Sequence, residues 1–220
     1  MPADYRAVEV AFAGTGLVVR GGFVLDEAEA RSLVLIGNAG SVMWAAFAAG
    51  RRDEPDPLDG WTRRVVDPMA GQLGARAVYP NDRPYRPFQA WAQRAESVHP
   101  SPLGILIHPV YGLWHAYRAA LLFPAVLEGL PERGNAPSPC ESCVGRPCLS
   151  ACPVSAFDGK SYDVAACAGH LRAGAAPDCA RLGCRARDAC PVATNHRYPS
   201  EQIAFHMAAF VKSRGGPCSR

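Results

Sequence analysis

Eight of the nine cysteines lie in two groups, and each group ends in a Cys-Pro pair. The groups are Cys140, Cys143, Cys148 and Cys152, then Cys167, Cys179, Cys184 and Cys190. A cubane 4Fe-4S cluster binds one cysteine thiolate at each of its four irons, so eight thiolates match two cubanes. Proline after the last cysteine of each group blocks helix continuation and turns the chain away. The pattern therefore predicts two 4Fe-4S clusters as cofactors.

The order of the cysteines predicts which thiolates share a cluster. In the bacterial ferredoxin pattern, three closely spaced cysteines bind one cluster and the cysteine before proline binds the other. The first predicted set is Cys140, Cys143, Cys148 and Cys190, and the second is Cys152, Cys167, Cys179 and Cys184. Four residues precede the third cysteine, and five separate Cys184 from Cys190, which departs from the usual spacing. We expect this to alter cluster geometry and not the ligand set.

Zinc and disulfides are the alternative uses of these cysteines. Structural zinc sites favour paired Cys-x2-Cys motifs, and Cys140 with Cys143 is the single such pair here. Disulfides would require an oxidising compartment. Asp4, Arg6 and Glu9 stand where a signal peptide would need an apolar core, so we expect a reduced, cytoplasmic protein. Cys218, in the C-terminal tail, is expected to be a free thiol.

Composition favours a compact enzyme over a bare electron carrier. The chain has 220 residues, of which 49% are hydrophobic, enough for one sizeable core and a cluster module. A net charge of +3 is too small to indicate nucleic acid as the main partner. The apolar stretch 32–50 is interrupted by glycine and polar residues, so it does not predict a membrane span. Gly14-Thr-Gly16 lacks the third glycine of a dinucleotide-binding motif.

A proline-rich segment divides the chain into two differently composed halves. We predict an α/β domain at 1–130, a linker at 131–139, a dicluster ferredoxin-like domain at 140–195, and a C-terminal helix and tail at 196–220. The first half contains no cysteine. The apolar residues after Pro199 predict an amphipathic closing helix, which we expect to pack against the first domain.

Apolar runs and turn residues predict the elements of the first half. Leu33–Ile36 has the character of a buried strand, and the glycines that follow lead into a helical segment around Trp44. Asp56 is a predicted N-cap with Pro57 at the first helical position, followed by Leu58, Trp61, Val65, Met69 and Leu73 at helical spacing. Pro68 is expected to kink this helix.

Two further segments complete the predicted α/β half. A proline-broken aromatic stretch at 79–88 predicts a loop. Leu103–His108 predicts a buried strand, and Gly112–Phe123 predicts a strand or a helix that ends at Pro124.

The segment 104–124 resembles the Ile-His-Pro, Gly-x-Trp, Ala-x-Arg signature of CblC-type, or MMACHC-like, cobalamin-processing proteins. Three other parts resemble that family in the same order along the chain. They are the strand and helix at 33–49, the Asp-Pro-x-Asp helix start at 56–59, and the Pro-Asn-x-Arg-Pro stretch at 80–84. The resemblance spans roughly residues 31 to 124.

The second half is similar instead to the dicluster domain of epoxyqueuosine reductases, which are related to CblC proteins. In those enzymes too an isolated cysteine in an Asp-x-x-x-Cys context follows the first Cys-Pro, as Asp163 and Cys167 do here. This chain lacks their long N-terminal catalytic region and their C-terminal helical repeats, which argues against tRNA as the substrate.

Together these resemblances imply a flavin-reductase/nitroreductase-like domain that binds a corrinoid in the base-off form, with a fused ferredoxin-like domain and a closing helix. The clusters would deliver low-potential electrons from an upstream donor to cobalt, for instance in decyanation or reduction of cobalamin. Two alternatives stay open: a ferredoxin-like electron-transfer partner of another enzyme, and a flavin enzyme on the same fold. We expect no nucleic-acid or membrane partner.

Four residues of the CblC-like signature are candidates for the corrinoid pocket: Tyr111, Trp114, His115 and Arg118. Arg118 matches the Arg of the family signature and could bind a propionamide, a phosphate or the carboxylate of a thiol cosubstrate. Tyr111, Trp114 and Tyr117 could flank the corrin or simply fill a core, and Arg118 could be a surface cation.

His108 and His115 could bind cobalt, or they could be hydrogen-bonded structural histidines. The family resemblance argues against a protein ligand to cobalt. Where CblC proteins have a histidine shortly after the Pro-Asn-x-Arg-Pro stretch, this chain has Gln93.

Overall fold

A computed structural model describes residues 4–27, 29–173 and 177–214. The chain divides into two compact units, each described here by itself. The sheet unit comprises 1–98 and 115–136, and the cysteine unit comprises 99–114 and 137–220. The segment 99–114, which the sequence analysis assigned to the first domain, therefore clusters with the cysteines.

The sheet unit is a four-stranded antiparallel sheet with helices packed against it. Its elements are α1 (Tyr5–Phe12), β1 (Val18–Glu27), β2 (Ala30–Ala39), α2 (Val42–Gly50), α3 (Pro57–Gln72), β3 (Arg76–Val78), α4 (Phe88–Ala95) and β6 (His115–Phe123). The strands are ordered β1-β2-β6-β3. Mixed α and β structure is thus confirmed, although every strand pairing in this sheet is antiparallel.

Strands β2 and β6 form the centre of the sheet. Leu33 to Ile36 are fully buried, and Leu33 pairs with Leu122 while Ile36 pairs with Ala119. A strand buried on both faces needs a continuous apolar run. The predicted strand at Leu33–Ile36 and the helix after it are confirmed, and His115–Phe123 of the ambiguous segment 112–123 is a strand.

Helix α3 begins as predicted, with Pro57 at its first position, although the Asp56 side chain makes no capping hydrogen bond. Its buried face differs from the predicted one by a single position after Trp61. The buried residues are Leu58, Trp61, Thr62, Val66 and Ala70. The predicted residues Val65 and Met69 are half-buried beside this face. Two neighbouring faces of the helix show the same helical period, so the sequence alone does not tell which one packs against the sheet.

The cysteine unit consists of short elements. They are β4 (His99–Pro100), β5 (Leu106–Ile107), α5 (Pro147–Ser150), α6 (Val164–Arg172), α7 (Pro177–Leu182), α8 (Arg185–Asp188), a 3-10 turn (Thr194–His196) and α9 (Ser200–Ser213). Helix α9, expected to pack against the first domain, clusters with this unit, where it packs against α6 and α7.

The predicted buried strand at Leu103–His108 is mostly wrong. Within it, Leu106–Ile107 forms a strand that pairs with His99–Pro100 in a separate two-stranded sheet, and His108 forms an isolated bridge with Gly112. Gly104 has φ +72° and donates to the Ser101 carbonyl, which turns the chain before the strand begins. Leu103 and Ile107 are buried in the hydrophobic core that the cysteines border.

Two further sequence predictions concern the C-terminal cysteine and membrane-spanning helices. Cys218 lies outside the described residues. Among the described residues, no helix has both the length and the apolar character needed to cross a membrane.

Candidate functional site

Several of the cysteines lie within short helices or directly before them. Cys148 lies in α5, which begins after Gly145 and Arg146, both in the left-handed region with φ of 73° and 41°. These two residues turn the extended Cys143–Cys148 spacing into one compact loop, since positive φ reverses the chain within few residues. Cys184 immediately precedes α8, and α8 packs against α5.

Asp163 explains the Asp-x-x-x-Cys context of Cys167. Its carboxylate accepts a hydrogen bond from the Ala166 amide at 2.8 Å and so caps α6. The Asp163 carbonyl accepts from the Cys167 amide, one helical turn later. An acidic N-cap both satisfies free amides and favours the helix start. Asp163 therefore fixes the helix that carries Cys167.

Four thiols interact electrostatically as one group. Burial raises the pKa of Cys140, and the charges of Cys190, Cys148 and Cys143 raise it further. Burial likewise raises the pKa of Cys148, followed by the charges of Cys190 and Cys143. We call Cys140, Cys143, Cys148 and Cys190 the first quartet.

The other four thiols form a second group. Burial raises the pKa of Cys184, and the charges of Cys167 and Cys152 add to this. Burial also raises the pKa of Cys179, with further contributions from Cys152 and Cys167. We call Cys152, Cys167, Cys179 and Cys184 the second quartet. The division places Cys190 with cysteines some 40 residues earlier in the chain, as a crossed two-cluster arrangement requires.

Backbone amides favour the thiolate form in both quartets. The Ala156 amide donates to Cys152 Sγ at 3.3 Å. Burial raises the pKa of Cys184 and of Cys190, and the amides of Arg187 and Ala186 oppose the first shift and that of Val192 the second. Ser138 Oγ accepts from the Cys140 amide at 3.3 Å. Groups that favour thiolate fit the ligands of an iron–sulfur cluster.

Six of the eight cysteines border a single hydrophobic core. Cys190 is buried within it, and Cys140, Cys148, Cys152, Cys167 and Cys184 pack against it. In the described parts of the chain, no group of three or more His, Cys, Asp or Glu side chains is gathered into a site for a single metal ion.

The sheet unit has a small polar pocket of its own, with a volume of about 130 Å³. It is lined by Asp59, Thr62, Tyr79, Pro80, Asn81, Tyr117 and Arg118. Of the four predicted pocket residues, Arg118 lies here. Arg118 Nε donates to Asn38 Oδ1 at 3.1 Å, which fixes the guanidinium.

Asp59 and Asn81 supply the other polar groups of this pocket. Asn81 Nδ2 donates to Asp59 Oδ2 at 2.9 Å. Burial raises the pKa of Asp59, and the Arg118 charge opposes that shift. The pocket thus holds one guanidinium and one carboxyl group that is partly shielded from water.

Tyr111 and Trp114 lie in the cysteine unit, whereas His115 and Arg118 lie in the sheet unit. Tyr111 stacks on His108 with ring centroids 4.5 Å apart. Trp114 is 2% exposed and packs against Arg187 and the Tyr198 ring. These contacts favour core packing, the alternative interpretation, for Trp114, whereas Tyr111 is half-buried.

The two candidate histidines use ring nitrogens as hydrogen-bond acceptors. His108 Nδ1 accepts from the amides of Val110 and Tyr111, at 2.9 and 3.2 Å. His115 Nδ1 faces Arg20 Nη2 at 3.3 Å, and since arginine only donates, this nitrogen must accept. In each neutral ring the proton is then on Nε2, so neither nitrogen offers a metal a lone pair. The structural interpretation is therefore favoured for both.

Arg20 is the buried residue that the sequence analysis missed. It is 3% exposed, forms an ion pair with Glu96 at 2.9 Å, and donates to the Asn38 carbonyl at 3.0 Å. Its guanidinium also lies 5.0 Å from the Tyr117 ring centroid. The sequence gives no indication that an arginine within a strand is buried, because the partners of this arginine come from three distant segments.

No protein-family model matches the sequence, and no curated protein matches it significantly. Solved structures do resemble it. CblC of C. elegans, described as a B12-trafficking protein and human MMACHC homologue, gives a TM-score of 0.57 at 16% identity. That likeness covers 92% of this chain and 89% of the C. elegans chain.

Epoxyqueuosine reductase from Bacillus subtilis gives a TM-score of 0.50 at 17% identity, covering 79% of this chain and 52% of that chain. This chain therefore spans about half the length of the reductase. At these identities the likeness establishes a shared fold alone. Both expected fold relationships are found, whereas their fusion in one chain stays a prediction.

A third structure is an epoxyqueuosine reductase with an epoxyqueuosine-modified tRNA stem loop. Its TM-score is 0.49 at 17% identity, covering 88% of this chain and 66% of that chain. The expected absence of a nucleic-acid partner does not fit that structure. At this TM-score the likeness carries no argument about a partner of this chain.

Proposed function

We propose that this protein is an iron–sulfur redox protein that passes low-potential electrons from two 4Fe-4S clusters to the cobalt of a bound corrinoid. The first cluster is held by the first quartet and the second by the second quartet. The observation that carries the proposal is the division of eight thiols into these two groups of four, each supplied with hydrogen-bond donors.

The protein would contribute to this chemistry by binding the clusters and setting their reduction potentials. When bound, each cluster supplies one-electron transfer. The Ala156 amide, which donates to Cys152 Sγ, and the amides that oppose the raised pKa of Cys184 and Cys190 would stabilise added negative charge at the sulfur ligands. The packing of the cysteines against an apolar core limits water at the ligands, which further sets the potential.

The corrinoid half of the proposal is supported by the fold shared with a B12-trafficking protein over nearly the whole chain. Arg118 is the residue best placed to bind a polar arm of the corrinoid, since its guanidinium is fixed by Asn38 and lines the pocket. The pocket of about 130 Å³ admits an amide or phosphate group. It is smaller than the roughly 300 to 1,000 Å³ typical of pockets that enclose a whole ligand.

The test uses anaerobically reconstituted full-length protein. We expect about eight irons per chain, a base-off spectral change with saturable binding on titration with aquocobalamin, and conversion of cob(III)alamin to cob(II)alamin after reduction by dithionite. In that step one electron leaves a reduced cluster for each cobalt reduced, and dithionite restores it.

The outcomes separate the candidate functions. Zinc without iron would overturn the cluster assignment. Intact clusters with no corrinoid binding at micromolar concentration would overturn the corrinoid half and favour an electron-transfer protein that serves another enzyme. A dithionite-only control without protein sets the background rate, because dithionite also reduces free corrinoid directly.

A further inference from the structure

Two of the hydroxyl groups that line the polar pocket already donate within the protein. Thr62 Oγ1 donates to the Leu58 carbonyl at 2.7 Å, and the Tyr79 hydroxyl donates to Asp67 Oδ1. A hydroxyl has a single proton, so neither group can donate to a ligand as well. The Tyr117 hydroxyl is buried and can donate or accept, so it does not favour one kind of ligand.

Asn81 is held at both ends of its side-chain amide. Its Oδ1 accepts from Arg63 Nη2 at 3.3 Å, and its Nδ2 donates to Asp59 Oδ2 at 2.9 Å. Arg63 is held in turn by an ion pair with Asp82 at 2.6 Å. Because arginine only donates, the amide oxygen must face Arg63 and the amide nitrogen must face Asp59. Asn81 therefore orients the Asp59 carboxylate within the pocket.

Asp59 and Arg118 bring opposite charges to the same pocket. A carboxylate accepts at both oxygens, so the bond from Asn81 leaves Asp59 able to accept another. A guanidinium carries several N–H groups, so Arg118 can donate to a ligand while its Nε donates to Asn38. Burial raises the pKa of Asp59, while the Arg118 charge opposes that rise and favours the ionised carboxylate. The pocket therefore offers a fixed acceptor and a fixed donor of opposite charge.

We propose that Asp59 makes this pocket selective for a carboxamide arm of the corrinoid over a carboxylate or a phosphate. This selectivity rests on the proposed function, since it concerns an arm of the corrinoid bound there. A primary amide has one oxygen that accepts and one nitrogen that donates. Arg118 would donate to that oxygen, and Asp59 would accept from that nitrogen. A carboxylate or phosphate would instead place a second negative charge beside Asp59, and like charges repel.

A set of aquocobalamin derivatives tests the proposal, each with one side-chain amide hydrolysed to a carboxylate. Each derivative differs from aquocobalamin at a single arm, so its affinity reports on the contacts of that arm. In spectral titrations of the anaerobic full chain at neutral pH, we expect one derivative to bind roughly ten to a hundred times more weakly than aquocobalamin, because a hydrogen bond to a charged group is lost. Derivatives hydrolysed at arms outside the pocket should lose less affinity.

Asp59→Asn separates Asp59 from the other contacts of the arm. Asparagine keeps an oxygen that can accept from the amide arm and from Asn81, and it adds an NH2 group that can donate to a carboxylate arm. The affinity gap of that derivative should therefore close in Asp59→Asn. Asp53→Asn is the matched control. Asp53 is exposed and does not line the pocket, so removal of the same charge there should leave the gap as it is.

The outcomes distinguish this selectivity from the proposed function. Equal affinities of aquocobalamin and every derivative for the wild-type protein would overturn the selectivity and leave corrinoid binding intact; this comparison needs no variant. A gap of unchanged size in an Asp59→Asn protein that unfolds cooperatively would overturn the role of Asp59. Wild-type protein with about eight irons that bound no corrinoid would overturn the selectivity together with the corrinoid half of the proposed function.

Discussion

Arg118 Nε donates to Asn38 Oδ1 at 3.1 Å, which joins the neighbouring strands β6 and β2 beside the polar pocket. Asn38 is fully buried, and its carbonyl accepts from Arg20. One asparagine thus orients two arginines, of which Arg118 lines the pocket and Arg20 is buried within the sheet unit. The proposed binding of a corrinoid and the stability of the sheet unit thus depend on different arginines.

Replacement of Arg118 by alanine should weaken corrinoid binding. Loss of a charge-assisted hydrogen bond costs about 1.5 to 3 kcal/mol, or roughly one to two decades in affinity. Spectral titration with aquocobalamin measures the change, and iron content should stay the same. Arg94→Ala is the control, because Arg94 lies over the Phe23 ring and does not line the pocket. Equal affinities of wild type and Arg118→Ala would exclude Arg118 from binding.

The cysteine pairing predicts which variants resemble each other. Cys190→Ala should remove the same EPR signal as Cys140→Ala, and Cys152→Ala should remove the other one. Each variant is expected to retain about four irons. Cys218→Ala should retain both signals. A Cys190→Ala variant that resembled Cys152→Ala would show that the chain does not cross between the two sites.

Replacement of Glu96 should strongly destabilise the sheet unit. Arg20 and Glu96 have side-chain exposures of 2% and 12%, so removal of Glu96 leaves a buried guanidinium without its carboxylate. Breaking such a pair costs about 3 to 5 kcal/mol in the free energy of unfolding. Urea unfolding of Glu96→Gln measures this. The exposed pair Arg76–Glu29 is the comparison, and Arg76→Ala should cost at most about 1 kcal/mol.

Asp163→Ala should destabilise the cysteine unit by about 1 kcal/mol, since the cap of α6 is lost. Thermal unfolding measures the loss, and Cys167 should bind iron less tightly under chelator challenge. Asp178→Ala, which removes an exposed ion pair with Arg181, is the control. If both variants lost iron at the same rate, the cap would have no role in holding the ligand.

Asp59 makes the stability of the sheet unit depend on pH. Burial raises its pKa above the unfolded value of about 3.9. A raised carboxyl pKa contributes stability below the unfolded pKa, and that contribution is lost as pH rises through the folded pKa. Asp59→Asn should therefore raise the unfolding temperature at pH 7, with the gain shrinking toward pH 4. A gain that grew with acidification would contradict this sign.

Local patterns predicted those elements whose partners lie close in the sequence. The apolar run Leu33–Ile36 predicted a buried strand, and Pro57 marked the first turn of α3. The order of the cysteines alone predicted two groups of four, because proline and thiolate chemistry act locally. The same patterns missed the turn at Gly104, where one glycine with positive φ outweighs an apolar run.

The sequence by itself determined the number and order of the thiols, the central strand and the start of helix α3. Tertiary structure alone decided that 99–114 clusters with the cysteines and that His115 accepts from Arg20. The physical reason is the distance along the chain over which each interaction acts. Helix caps, turns and apolar periods act within a few residues, whereas the burial of a charge depends on groups that only folding brings together.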